Sequence, residues 1–107
     1  MSCRIEFTDT AKQDLREIAF YIAEQSKEKS VAIRFVTELQ EKCKILKDFP
    51  DSGAIPKDRM MKSAGYRFLV HGDYLIFYKY EASTNVAYIL AVFNAKRDYM
   101  KIMRKFI

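Results

Sequence analysis

The sequence predicts an α+β fold in the order N-terminal strand, antiparallel helical hairpin, three-stranded antiparallel meander and short C-terminal helix or tail. Three observations predict it. The first residues alternate apolar and charged, two amphipathic stripes follow in succession and stop at Pro50, and three β-branched and aromatic runs are then separated only by short turns.

Cys3-Arg4-Ile5-Glu6-Phe7 has the period of a strand with one buried face. Thr8-Asp9-Thr10 starts a helix, and Thr10 with Gln13 fits a capping box that satisfies two free main-chain N–H groups. Ala11, Leu15, Ile18, Ala19 and Ile22 share one helical face while Lys12, Asp14, Arg16 and Glu17 look away, and this helix ends near Gln25. After a polar break at Ser26 to Ser30, Ala32, Phe35, Val36, Leu39, Cys43 and Leu46 form a second stripe. Pro50 ends it, lacking an N–H and disfavouring helical geometry at Phe49. So short a connection folds the two helices into a hairpin, both stripes facing the core.

Asp51 to Ala64, with Gly53, Pro56 and no periodicity, reads as an exposed loop. Tyr66 to Val70, Tyr74 to Tyr80 and Val86 to Asn94 are strands, joined through His71-Gly72-Asp73 and Glu81 to Asn85 as an antiparallel meander. The basic Ala95 to Ile107 is the short helix or tail.

With 107 residues, half of them hydrophobic, the chain suits one domain, taken as 1–107, around one modest core whose bulk comes from 8 Phe and 7 Tyr. Cys3 and Cys43 lack metal-site or redox spacing and read as ordinary buried thiols. No segment resembles a signal peptide or a membrane span, so a cytoplasmic protein away from membranes is expected. Residues 1–50 carry 9 Lys+Arg against 9 Asp+Glu, and residues 51–107 carry 10 against 5, so the whole net charge of +5 belongs to the second half. That asymmetry suggests a face for phosphates or for an acidic protein partner, beside the plainer reading of a solubilising basic surface.

Most enzyme constellations are missing: there is no glycine-rich phosphate loop, no HExxH and no cluster calling for a metal or cofactor. The single histidine, His71, falls in an expected hairpin turn and reads as solvated. What remains is a cationic and aromatic set: Lys57, Arg59 and Lys62 in the loop, Arg67 in the first meander strand, and Lys96, Arg97 and Tyr99 beyond the last. If they converged on an open sheet face, they would bind phosphate through arginine and stack a base on tyrosine. RNA cleavage by the 2′-OH is chemically available to such a cluster, because neighbouring cations lower the pKa of a Tyr or Lys. A scattered basic surface is the alternative.

Several motifs in order resemble the RelE/ParE toxin superfamily over nearly the whole chain. They are Phe7-Thr8-x-x-Ala11-x-x-Asp14-Leu15-x-x-Ile18-x-x-Tyr21-Ile22, Leu46-x-x-Phe49-Pro50-x-x-Gly53, Gly65-Tyr66-Arg67-x-Leu69-x-x-Gly72-x-Tyr74, Ile76-Phe77-Tyr78, and Val92-x-x-Ala95-x-Arg97-Asp98. The resemblance implies the same fold and a growth-arresting toxin of a type II toxin–antitoxin (plasmid stabilisation) system, neutralised by a wrapping, acidic antitoxin. It also implies one of two targets. ParE-type members inhibit DNA gyrase, and the long hairpin and the Phe49-Pro50 ending look more like them. RelE-type members cleave mRNA on the ribosome, and by position Arg67 and Arg97 match the two arginines of that site, with Lys57, Arg59 and Lys62 in its lysine-bearing loop. Tyr99 precedes the place of that site's tyrosine, to which Met103 is nearer. A non-toxic basic binding module of the same fold is the third reading.

Overall fold

A computed structural model describes residues 2–96 and gives the order β1 (Arg4–Phe7), α1 (Asp9–Ser26), α2 (Lys29–Lys42), a 3₁₀ turn (Cys43–Lys47), α3 (Arg59–Ser63), β2 (Tyr66–His71), β3 (Tyr74–Glu81) and β4 (Val86–Asn94). The expected helix or tail at 97–107 lies outside the described residues. The strands form one sheet ordered β1-β4-β3-β2. β2, β3 and β4 are the antiparallel meander, while β1 runs parallel to β4 at the far edge, with Arg4 opposite Val86 and Phe7 opposite Ile89.

Alternation along each strand sends side chains to two different cores. Leu69, Ile76, Tyr78, Ile89 and Val92 pack with Leu15 and Ile18 of α1 and Leu39 of α2. Phe77, Ala91 and Phe93 look the other way and pack with Met61 of α3. The rings of Phe77 and Phe93 stack there at 5.4 Å between centroids. Between Phe77 and Tyr78 the register with β4 shifts at a β-bulge.

Three sequence expectations are corrected. Thr8, not Thr10, caps α1: its hydroxyl accepts the Ala11 N–H at 3.2 Å and donates to the Ile89 carbonyl of β4 at 3.0 Å. A cap that also ties the helix to the sheet outcompetes one serving the helix alone. Asp14 does not look away, because its Oδ2 accepts the main-chain N–H of Val92 at 3.0 Å.

The third correction concerns residues 51–64, which are mostly exposed but are not a loop throughout. Gly53 and Pro56 are buried, and Ala54 makes a two-bond antiparallel bridge to Phe68 on the edge strand. The chain then enters α3, where Asp58 accepts the Met61 N–H at 3.0 Å and Met61 is fully buried. Aperiodic sequence concealed these contacts because each is made by a single residue.

Candidate functional site

Arg67 stands opposite Tyr78 and shares the face of Leu69, so it points to the side of the sheet covered by α1 and α2 rather than to the side of Met61 and α3. Its Nη1 donates to the carbonyls of Asp51 and Gly53, each at 3.1 Å, and its Nε lies 3.9 Å from the Asp51 carboxylate. The side chain is 29% exposed. Beneath it, the fully buried Tyr78 accepts the Gly53 N–H at 2.9 Å and donates to the Pro50 carbonyl at 2.7 Å. Burial raises the Tyr78 pKa, against the opposing pulls of the Gly53 hydrogen bond and the Arg67 charge.

Gly53 is there for space. A Cβ at that position would stand 2.6 Å from Tyr78 Cε1 and 2.7 Å from its hydroxyl, closer than any real contact.

Lys57, Arg59 and Lys62 are all exposed, brought together on α3 and the residues before it, and none of them is in an ion pair among the described residues. Lys96 is elsewhere, with its Nζ 3.6 Å from Asp73 in the β2–β3 turn. Register explains the separation: Asn94 pairs with Tyr74, which pairs with His71, the end of β2 away from Arg67. Four residues of strand span about 13 Å. The cationic set is therefore divided between two ends of the sheet, and Arg97 and Tyr99 lie outside the described residues.

His71 is not a solvated turn residue. It ends β2, with its ring tilted against Phe35 at 5.6 Å and its Nε2 3.5 Å from Glu38. His71 and Glu38, with Arg34, Thr37, Glu41 and Lys42, line an open groove of about 640 Å³ along α2. Among the described residues no three His, Cys, Asp or Glu side chains gather to hold a metal ion, and no helix is long and apolar enough to cross a membrane.

Sequence reasoning missed Tyr78 and Asp14. The signal for Tyr78 was a hydroxyl within the most apolar strand, where burial obliges it to find a partner. For Asp14 there was none, since its partner is a main-chain group 78 residues away.

The model of the ParE toxin of the type II toxin–antitoxin system parDE matches residues 5–99. The chain belongs to the ParE toxin family. No curated protein matches it significantly. Among solved structures, this ParE-family chain is similar to the chromosomal ParDE system of P. aeruginosa, with a TM-score of 0.72 and 18% identity over 87% of this chain and 96% of that one. It is also similar to a RelBE toxin–antitoxin complex of Mycobacterium tuberculosis, with a TM-score of 0.66 and 21% identity over 88% and 92% of the two chains. A mutant E. coli RelE toxin in the free state covers both chains fully, with a TM-score of 0.59 and 12% identity. At these identities the structures establish the shared fold. For the ParE family, the segment Phe49-Pro50-x-x-Gly53 has a physical reading here: Pro50 and Gly53 are the two residues whose main chain the Tyr78 hydroxyl holds.

Proposed function

We propose that this chain, as one toxin domain over 1–107, is the growth-arresting component of a type II toxin–antitoxin pair that acts in the cytoplasm by inhibiting DNA gyrase. The observation that carries this reading is the ParE family match over residues 5–99. Arg67 supports gyrase over mRNA cleavage. A nuclease would need this guanidinium for the phosphate, yet its Nη1 is taken by the Asp51 and Gly53 carbonyls, and Lys96 keeps to the far end of the sheet. Lys57, Arg59 and Lys62, exposed and in no ion pair among the described residues, are the target-facing cations of this reading, and no cofactor enters it.

The neutralising partner is a cognate antitoxin, an acidic segment that wraps the basic second half. The solved ParDE and RelBE systems to which this fold is similar are toxin–antitoxin systems, and electrostatic complementarity favours an acidic wrap.

The test is controlled expression. The chain alone should stop growth, and co-expression of a short acidic reading frame adjacent to its gene should restore it. With purified gyrase and supercoiled plasmid, cleaved DNA should accumulate, while mRNA in a purified translation system stays intact. mRNA cut at A-site codons with plasmid untouched would replace gyrase by the ribosome, and a chain harmless in cells would leave only the non-toxic binding module.

A further inference from the structure

We propose that Arg67 is a positioning residue, which acts through the main chain of residues 51–54 to hold the segment bearing Lys57, Arg59 and Lys62, and does not itself meet the target. This rests on the reading of those three cations as target-facing.

Six hydrogen bonds converge on four residues of this segment. Tyr78 takes the Pro50 carbonyl and the Gly53 N–H from below, Arg67 takes the Asp51 and Gly53 carbonyls, and Phe68 pairs with Ala54 through both of its main-chain groups. A stretch without helix or strand partners of its own thereby has its polar main chain satisfied by three residues of β2 and β3. Pro56, two residues past Ala54, is buried and so is Met61 in α3, so the segment is pinned at both ends and offers only the side chains between and beside the pins. Lys57 and Arg59 stand there, with Lys62 one residue past the second pin.

The geometry also separates the two roles open to an arginine. Both carbonyls accept from one nitrogen, Nη1, at equal distances of 3.1 Å. A lysine ammonium has three donors and can serve both, whereas it cannot reproduce the planar fork that grips a phosphate. Tyr78 supplies an independent handle. It is fully buried and cannot touch any partner, so whatever its hydroxyl contributes to target action must pass through the segment.

The experiment uses the full chain with Arg67→Met, Arg67→Lys, Tyr78→Phe and the Arg67→Met/Tyr78→Phe double variant. Two readouts are taken: growth arrest on titrated induction, and amide hydrogen exchange across residues 51–58 under conditions where urea titration finds each variant folded. Arg67→Met and Tyr78→Phe should each speed exchange in this segment by about tenfold and weaken arrest together, the double variant adding little, and Arg67→Lys should restore both readouts. Arrest lost in Arg67→Lys with exchange at the wild-type rate would overturn the proposal, since the guanidinium would then be gripping the target. So would a Tyr78→Phe chain whose segment loosens while arrest stays at full strength. If the unaltered chain arrests nothing, the toxin reading fails by itself. The exchange arm still decides the anchor: faster exchange upholds it, and unchanged exchange in both Arg67→Met and Tyr78→Phe overturns it.

Discussion

Asp14 in α1 accepts a hydrogen bond from the main-chain N–H of Val92 in β4, 3.0 Å away. β1 stops at Phe7, opposite Ile89, so β4 continues for five residues without a neighbouring strand on that side. Helix α1 takes over where β1 ends. Thr8 takes the carbonyls of Ile89 and Leu90 at 3.0 and 3.3 Å, and Asp14 takes the Val92 N–H, so a helix finishes the edge that a strand began.

Replacing Asp14 by Ala should therefore lower the unfolding free energy by about 1–3 kcal/mol, because a part-buried main-chain N–H loses its acceptor. Asp14→Asn keeps an acceptor oxygen and should cost less. Urea titration of both variants checks the order, and equal losses would mean that the charge, not the acceptor, matters.

Gly53→Ala should destabilise by roughly 1–3 kcal/mol through overcrowding against Tyr78. Tyr78→Phe removes the hydroxyl that the new methyl would meet at 2.7 Å but leaves Cε1 at 2.6 Å. Relief in the double variant should be only partial, which a double-mutant cycle measures; strict additivity would show that the two residues do not touch.

Truncation separates buried from exposed phenylalanines. Phe77→Ala should cost about 3–5 kcal/mol, since the ring is fully buried between Phe68 and Phe93. Phe20 on α1 is 70% exposed, and Phe20→Ala should change stability by less than about 0.5 kcal/mol. Thermal melts of the two variants supply the comparison.

Burial pushes the Cys43 thiol up to about 12 from its ordinary value of 9.0. A group whose folded pKa is raised stabilises the fold fully below the unfolded value and loses that contribution as pH rises through the folded one. Stability should thus fall progressively above about pH 9, with Tyr78, also raised, adding to the loss. Alkylation at pH 8 should leave both buried cysteines unmodified until the chain is unfolded.

Much of this fold was legible because its periods are strong. The stripes through Leu15 and Ile18 and through Ala32 and Leu39 face the core as read, and the meander strands begin at the expected residues. What was not legible lay in single long-range choices. Thr8 and Thr10 are equally good caps locally, and only β4, some 80 residues on, favours Thr8. The direction of Arg67 was hidden for a related reason. Both faces of β2 are apolar, with Phe68 and Leu69 pointing into different cores, so alternation could not say which face the arginine shares. Lys96 was grouped with the loop cations by charge alone, and the strand register parts them.

The parallel pairing of β1 with β4 makes synthesis order matter. The ribosome releases the opening strand more than 80 residues before the one it must lie against, and a product cut short ahead of Val86 would leave Ile5 and Phe7 with no companion and α1 with no edge to close. Harm to the cell would then require an essentially complete polypeptide, which gives any inhibitor already present a head start on each newly made copy.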